Sequence, residues 1–286
     1  MKRCIKLLIS LLYATGSWAV NMCRRTLGRG RPATCTILYY HEVRRDDGEQ
    51  FARQMDRLVR LAQPVQIDIT GLPEVGRRYV AVTFDDGFES LLNTALPALM
   101  KRKIPCAIFV IAGGLGKVPS WMGSPDGSGG GERLMTASQL RELSTDCVLI
   151  GSHTVSHPNL PGISLAEAKR EIRESRLILE GLLGREIRLF SFPYGAFNEQ
   201  VVELCKEAGY ERVFTTQPLA AFSGPNSFVT GRVPAEPTDW PLEFRLKVIG
   251  AYQWLPWAFF LKREVSRFLP RPFRQASRTY EPVVFR

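Results

Sequence analysis

The groups best suited to chemistry in this chain are three histidines and one pair of adjacent carboxylates. They are His41, His153 and His157, and Asp85 and Asp86. Two of the histidines lie four residues apart, and the carboxylates directly follow an apolar run at residues 79–84. Imidazole and carboxylate are the groups that hold a catalytic zinc-like ion through three protein bonds, leaving one position open for water. The combination predicts a divalent metal site.

A simpler interpretation of each motif has to be weighed against this one. Two histidines four residues apart are more often surface residues on a helix than metal ligands. The adjacent carboxylates change that balance, because burying Asp85 and Asp86 together without a cation or several hydrogen bonds is costly. A metal therefore explains their position at a strand end better than a structural salt bridge does.

The pattern of apolar residues predicts alternating strands and helices that position these groups. Predicted strands cover residues 36–40, 79–84, 106–111, 148–151, 187–192 and 212–215, and predicted helices cover 50–61, 89–103, 137–143, 164–183 and 198–208. In helix 164–183, Leu165, Ala168, Ile172, Leu179 and Leu183 are predicted to face inward, and Glu171 is among the residues predicted to face water. Such alternation indicates a parallel sheet, most simply closed into a barrel, with the chemical groups at the carboxyl ends of the strands.

Composition narrows the class of protein without choosing a function. A chain of 286 residues that is 45% hydrophobic can bury one large core. The six cysteines form no CxxC pair and lie mostly in apolar runs, so a disulfide framework is not expected. The formal net charge of +10 favours an anionic partner. We expect no nucleic acid among the partners, because no recognised nucleic-acid motif accompanies the scattered basic residues.

Both ends of the chain suggest a membrane surface. After Lys2 and Arg3 comes a mainly apolar stretch at residues 7–20, followed by Arg24 and Arg25. This stretch fits either a signal peptide or an uncleaved anchor, and it is short for a spanning helix. Residues 244–274 mix aromatic and basic side chains, which suits an interfacial membrane helix or a terminal helix packed on the barrel. Membrane association is our preferred explanation of the excess charge.

Three motifs together resemble the polysaccharide deacetylase family, whose catalytic unit is the NodB-homology domain. They occur in the family's order at residues 83–87 (Thr-Phe-Asp-Asp-Gly), 153–157 (His-Thr-Val-Ser-His) and 190–195 (Phe-Ser-Phe-Pro-Tyr-Gly). The resemblance implies an α/β fold, a distorted (β/α)7 barrel, over a catalytic domain at residues 32–240. Residues 1–31 are then the N-terminal segment and linker, and 241–286 a basic, aromatic C-terminal extension. The implied reaction is metal-dependent removal of acetate from N-acetylated sugars.

The resemblance also implies roles for individual residues. Asp86, His153 and His157 look like the ligands of a divalent ion, most simply Zn²⁺, with Co²⁺ or Ni²⁺ as alternatives. Asp85 looks like the general base, and the backbone amide of Tyr194, after Pro193, like an oxyanion donor. Two departures matter. The arginine that many members carry shortly before Pro-Tyr is missing, so Asp85 must be oriented from elsewhere, and no histidine follows His157.

His41 is the remaining candidate for the general acid, since it follows the first strand as in the permuted poly-N-acetylglucosamine deacetylases. The alternative for His41 is a hydrogen-bonded histidine that fixes a loop. Trp240 is a candidate for stacking on a sugar, although a tryptophan after a turn is more often packing, and Asp239 is a candidate cap for the helix near Pro241. We expect an N-acetylated glycan substrate and a location in the cell envelope, exported or membrane-associated, with the cytoplasmic face also open. The competing hypothesis is a catalytically silent glycan-binding barrel.

Overall fold

The computed structural model describes residues 2–122, 131–143, 146–219, 221–222 and 228–258. Its strands are β1 Thr34–Tyr40, β2 Gln63–Pro64, β3 Arg78–Phe84, β4 Cys106–Val110, β5 Val148–Ser152, β6 Leu189–Ser191, β7 Arg212–Thr215, β8 Val229–Gly231 and β9 Val233–Pro234. Its helices are α1 Lys2–Thr26, α2 Gly48–Leu61, α3 Ser90–Asn93, α4 Ala95–Met100, α5 Ala137–Glu142, α6 Leu165–Leu183, α7 Glu199–Glu207 and α8 Pro241–Val248.

The sheet is parallel and almost closed. Its order is β8-β7-β6-β5-β4-β3-β1-β9, with β2 paired to β3. The strands at the two edges, β8 and β9, are consecutive in the chain and are separated only by Arg232. Two of the described strands have two residues each, which leaves seven longer ones. The predicted distorted (β/α)7 barrel is confirmed.

The barrel interior and the layer beneath the helices are separated by the alternation of side chains along each strand. Cys35, Ile37, Tyr79, Ala81, Ala107, Phe109 and Phe214 form one cluster, inside the barrel. Leu38, Tyr40, Val80, Val82, Phe84, Ile108 and Val110 belong to the larger cluster that packs against the helices. By this alternation Thr83 and Asp85 follow Ala81 toward the interior, so β3 delivers its first carboxylate to the mouth of the barrel.

The predicted helix 89–103 is wrong as a single element, because the chain forms α3 and α4 with a break at Thr94. Pro97 lies in the first turn of α4 and has no N–H to donate to the carbonyl of Asn93, so the first helix ends there. The Thr94 hydroxyl contacts the carbonyl oxygens of Ser90 and Val43 at 2.6 and 2.7 Å. This contact holds the break against the loop after β1.

The predicted faces of helix 164–183 need two corrections. The helix begins as expected with a capping box between Ser164 and Glu167, and Ala168, Ile172 and Leu179 are buried. Leu165, however, is 48% exposed, because the first turn extends past the edge of the core. Glu171, expected to face water, is only 6% exposed and accepts three hydrogen bonds from the loop that contains the histidines.

The ends of the chain are described in part. Helix α1 is the one described helix that is long and apolar enough to cross a membrane, a test that a signal sequence also passes. Helix α8 has Trp240 at its N-cap, so the expectation that Asp239 caps it is wrong; the Asp239 carboxylate instead accepts two 2.7 Å hydrogen bonds from Lys247 Nζ. Residues 123–130 and 259–286 lie outside the described residues, and with them most of the basic, aromatic segment 244–274 that was expected to form an interfacial or packed helix. The domain boundaries at residues 31 and 240 stay predictions.

Candidate active site

The three side chains proposed as metal ligands lie together at the mouth of the barrel. His153 Nε2 and His157 Nε2 each lie 3.5 Å from Asp86 Oδ1, and one ligand atom from each residue falls within 4.8 Å of the others. Asp86 Oδ1 is buried without a hydrogen-bond partner. A buried carboxylate oxygen without a donor is costly, and a cation at the point where the three side chains meet would satisfy it. The residues present therefore fit a divalent ion.

The backbone that carries this cluster is unusually strained. Asp86, Thr154, His157 and Tyr194 all have positive φ, between 60° and 69°. They account for four of the six positive-φ residues other than glycine in the described part of the chain. Each such residue costs about 1–3 kcal/mol, and such strain tends to persist where function requires the geometry. These conformations turn the side chains of Asp86 and His157 toward the mouth.

His153 is oriented by the strand beside its own. Its Nδ1 lies 2.7 Å from the carbonyl oxygen of Ser191. A carbonyl oxygen can only accept, so Nδ1 carries the proton and Nε2 presents its lone pair toward Asp86. Burial lowers the pKa of His153 to about 4. Burial, and then the charge of His153, lower the pKa of His157 to about 3. Both rings are neutral at pH 7, which is the form that binds a metal.

The two adjacent carboxylates have opposite electrostatic environments. Burial, and then the charge of Asp85, raise the pKa of Asp86 to about 8 in the metal-free protein. Burial would also raise the pKa of Asp85, but the charge of Arg232, with a smaller contribution from His153, lowers it to about 2. A bound cation would thus stabilise the ionised form of Asp86, whereas the ionised form of Asp85 is already stabilised by a guanidinium partner.

Arg232 is that partner, and it fills the upper part of the barrel interior. Its Nη1 and Nη2 donate to Asp85 Oδ1 and Oδ2, both at 2.7 Å, and both side chains are buried. Nη2 also donates to Ser191 Oγ at 2.7 Å and Nη1 to Thr83 Oγ1 at 3.1 Å. The guanidinium lies over the ring of Tyr39, with Cζ 4.8 Å from the centroid. Asp85 is therefore held in one orientation and kept ionised.

Glu171 organises the loop between the two histidines. Its Oε2 accepts from the amides of Val155 and Ser156 at 2.8 and 2.9 Å, and its Oε1 accepts from Ser156 Oγ at 2.7 Å. Thr154 Oγ1 accepts from the amide of His157 at 2.9 Å. A buried carboxylate on α6 thus fixes the loop on which the spacing of the histidines depends.

Two aromatic rings flank His157 at the surface of the site. The ring of Trp121 lies 4.5 Å from that of His157, and the ring of Tyr194 lies 4.7 Å away on an edge-to-face approach. Both aromatic side chains are exposed. Tyr194 belongs to the turn Pro193–Gly195 that follows β6, and Pro193 is buried. The mouth therefore presents aromatic ring surface beside a polar centre, a combination found in ligand-binding clefts.

His41 and Trp240 differ in their relation to the cluster. His41 follows β1 beside Asp85, whose amide donates to the carbonyl of Tyr40 at 2.9 Å. It is exposed, and its ring lies 5.7 Å from that of Tyr39. Trp240 contacts Arg3, whose guanidinium lies 4.5 Å from the indole centroid. Within the described residues, no contact joins Trp240 to the Asp86 cluster.

A comparison of the sequence with models of known protein families identifies the family to which this site belongs. The polysaccharide deacetylase family model matches residues 73–213, which contain Asp85, Asp86, both buried histidines and the Pro193–Gly195 turn. The chain belongs to the polysaccharide deacetylase family. Carbohydrate deacetylases are hydrolases acting on a non-peptide carbon–nitrogen bond, so the expected enzyme class is confirmed with the family.

Individual relatives agree with the family assignment. The solved structure of IcaB from Ammonifex degensii superposes with a TM-score of 0.64 at 25% identity, covering 78% of this chain and 98% of that one. YxkH of Bacillus subtilis (strain 168) is 23% identical over 218 residues, 72% of this chain and 73% of the relative. The poly-β-1,6-N-acetyl-D-glucosamine N-deacetylase of Staphylococcus aureus (strain MRSA252) is 24% identical over 166 residues, 55% of this chain and 54% of the relative. The chain thus spans about half of that enzyme.

Sequence reasoning missed three residues of this polysaccharide deacetylase site. Arg232 orients Asp85 in the absence of an arginine before Pro193, and its signal in the sequence is a lone basic residue inside the mainly apolar run 228–235. Glu171 gave no signal, because its helical neighbours are also charged. Trp121 gave no signal either, because it lies in a loop and a sequence gives no means of placing a loop residue against His157.

Proposed function

We propose that the protein removes acetyl groups hydrolytically from N-acetylhexosamine residues of a glycan, using a divalent metal ion. The observation that carries the proposal is the meeting of Asp86, His153 and His157 beside an ionised Asp85. A hydrolytic metal centre requires three neutral or anionic protein ligands, and here they are two neutral imidazoles and a carboxylate oxygen that has no hydrogen-bond donor. The substrate is a polysaccharide, a cell-envelope glycan or a lipid-linked saccharide.

Asp86 Oδ1, His153 Nε2 and His157 Nε2 would hold the ion. The best fit for two imidazoles and one carboxylate is Zn²⁺, with Co²⁺ or Ni²⁺ as working substitutes. When bound, the ion would lower the pKa of water and polarise the acetamide carbonyl. The hydrogen bond from His153 Nδ1 to Ser191 fixes the tautomer that such binding needs.

The remaining steps fall to the chain's own groups. Asp85 would accept the proton of the attacking water at its carboxylate, which Arg232 holds in place. Because the pKa of Asp85 is about 2, the base is ionised throughout the working pH range. His41 would give a proton to the departing amine. The Tyr194 amide, turned by its φ of 60° after Pro193, would donate to the developing oxyanion.

The class of substrate and the place of action are inferred from the relatives and from helix α1. The S. aureus relative is a poly-β-1,6-N-acetyl-D-glucosamine N-deacetylase, so a polymer of N-acetylglucosamine is the nearest guide to the substrate. An apolar N-terminal helix fits either export or attachment to the membrane. We infer action at the cell envelope on an N-acetylglucosamine-containing glycan.

The competing function is a glycan-binding barrel without catalysis. It was motivated by the missing arginine and the missing late histidine. Arg232 removes the first reason, because the bidentate contact with Asp85 leaves the candidate base oriented and charged. The second reason remains, and it depends on whether His41 acts as the acid.

The test is acetate release from N-acetylated oligosaccharides by the purified full-length protein, before and after treatment with a chelator. We expect activity that disappears with metal removal and returns when Zn²⁺ is added. Asp86→Ala and His153→Ala should each abolish it, while Asp56→Ala, which removes a surface carboxylate paired with Arg102, should not. Stoichiometric saccharide binding without acetate release from any of several glycans would instead support the silent barrel.

A further inference from the structure

In helix α1 the polar and apolar sides are exchanged relative to an amphipathic helix of a water-soluble protein. The side that faces the barrel carries Arg3, Leu7, Ser10, Ala14, Ser17 and Asn21, at alternating spacings of four and three residues. Ser10 is fully buried, Leu7, Ala14, Ser17 and Asn21 are half-buried, and Arg3 is exposed. The stripe toward the protein is therefore mainly small and polar, whereas the stripe of a soluble amphipathic helix is apolar.

The opposite side of α1 holds the large apolar residues. Leu8 is 59% exposed and Leu12 63% exposed. Ile5 and Val20 are also at least half exposed. Helices whose outer face meets lipid have this arrangement, with small and polar residues toward the protein and large apolar residues outward. With about 100° per residue, Lys6 and Arg24 share one flank between the two faces, where basic groups can reach lipid headgroups.

Specific polar contacts attach α1 to α8 and its flanking segments. Arg3 Nε donates to Glu243 Oε2 at 2.7 Å and Arg3 Nη2 to the carbonyl of Thr238 at 3.1 Å. Trp254 Nε1 donates to Ser10 Oγ at 2.9 Å, and Leu7 and Ala14 pack against the main core. Removal of the helix would leave Glu243, which is buried, without its guanidinium and the Trp254 N–H without its acceptor.

We propose that α1 is retained in the mature protein as a docked membrane anchor, with its outer face inserted among the lipid acyl chains of a bilayer. It is neither a cleaved signal peptide nor a helix free of the barrel. Its 25 residues extend for about 37 Å along the membrane surface. Because Arg3 contacts the segment that leaves the carboxyl end of β9, the start of α1 lies at the end of the barrel where the active site opens. The proposal does not depend on the metal chemistry.

Two measurements on the full-length protein test the lipid-facing side. Intact mass of protein isolated from its own membranes should include residues 2–26. In flotation with phosphatidylethanolamine–phosphatidylglycerol vesicles (3:1), the wild type should rise with the lipid, and Leu8→Glu/Leu12→Glu should lower the bound fraction at least about tenfold. The matched control is Leu165→Glu/Leu177→Glu, two exposed leucines of α6, and it should bind like the wild type.

The docked side is tested with a double-mutant cycle on Arg3 and Glu243. Each alanine variant should lower the melting temperature in detergent by about 1–4 °C, and the double variant by less than the sum of the two single effects. A mature chain that begins after residue 19, vesicle binding unchanged by Leu8→Glu/Leu12→Glu, or strictly additive effects of the two alanines would each overturn the proposal. Melting of the Leu8→Glu/Leu12→Glu variant at the wild-type temperature would show that its binding defect is not misfolding.

Discussion

Arg232 and Asp85 form a bidentate ion pair, Nη1 to Oδ1 and Nη2 to Oδ2, at 2.7 Å each. Arg232 is also the single residue between the strands at the two edges of the sheet. The residue that connects the two edge strands is therefore the one whose side chain holds the candidate base. Its hydrogen bonds to Ser191 and Thr83 connect it to two further strands, so the position of Asp85 depends on closure of the barrel.

The first prediction concerns this pair. Arg232→Lys keeps a positive charge but cannot donate two parallel bonds to one carboxylate, and we expect kcat to fall about 100-fold while the bound metal, measured by elemental analysis, is unchanged. Arg232→Ala should lower the free energy of unfolding by about 3–5 kcal/mol, because it leaves Asp85 buried and unpaired. Arg212→Lys, on neighbouring β7 with its guanidinium on the Ile67 carbonyl, should leave kcat unchanged. Equal kcat for Arg232→Lys and the wild type would contradict the role.

The second prediction is the pH dependence of metal affinity. Between pH 5 and 7 Asp86, with a pKa of about 8, must lose one proton to bind, whereas His153 and His157, with pKa values of about 4 and 3, have none to lose. The dissociation constant of Zn²⁺ should therefore fall about tenfold per pH unit over that range. Two histidines of ordinary pKa would give a steeper slope below pH 6.

The same shift in Asp86 affects the stability of the metal-free protein, with a definite sign. A pKa raised in the folded state stabilises the fold below the unfolded value, and that contribution is lost as the pH rises through about 8. The lowered pKa values of the two histidines act oppositely, so their contribution is lost as the pH falls from about 6.5 toward 4 for His153 and toward 3 for His157. The melting temperature of the wild-type protein, kept metal-free with a chelator, should fall as the pH rises toward 8. Asp86→Asn should remove this fall, and Asp56→Asn should retain it.

The third prediction concerns Glu171. Glu171→Ala removes the acceptor of the Val155 and Ser156 amides, and we expect metal affinity to fall about 10–100-fold in competition with a chromophoric chelator. Glu171→Gln keeps one acceptor oxygen and should restore most of the affinity. Glu174→Ala, on the exposed side of α6, is the matched control. If Glu171→Ala bound metal as tightly as Glu174→Ala, the loop would not need this carboxylate.

The fourth prediction tests His41 as the acid. His41→Gln should lower kcat by about 10²–10⁴, because the amine then leaves without a proton donor. The metal content should stay at the wild-type value. Glu42→Gln, which breaks the contact between Glu42 and Arg44 next to His41, should leave kcat unchanged. A His41→Gln enzyme with normal kcat would exclude the assignment.

The fifth prediction concerns the aromatic surface. Trp121 lies beside His157 with its ring exposed, so a sugar ring at the site would stack on it. Trp121→Ala should raise KM by up to about tenfold, the value of one aromatic contact, and change kcat little. Trp257→Ala removes another exposed tryptophan, near the carboxyl end of the described chain, and should alter neither constant. A fall in kcat at constant KM would instead indicate that Trp121 supports His157.

Local features of the sequence were sufficient to predict the barrel and the groups at its mouth. Buried strands alternating with amphipathic helices dictate a parallel sheet, and the carboxyl end of β3 carries Asp85 and Asp86 wherever the rest of the chain lies. The break between α3 and α4 was missed, although Pro97 contained the signal. The exposure of Leu165 was missed because periodicity defines a face of a helix but not where the core ends along it.

Tertiary structure alone decided which groups meet the candidate catalytic residues. Arg232 and Asp85 are 147 residues apart in the chain, and their contact exists only because β8 and β9 close the sheet beside β1. Glu171 is one of several charged residues on α6, and packing of that helix selects it to hold the histidine loop. A sequence pattern records local burial and period, whereas hydrogen-bond geometry between distant segments depends on strand register and closure, and these are properties of the assembled barrel.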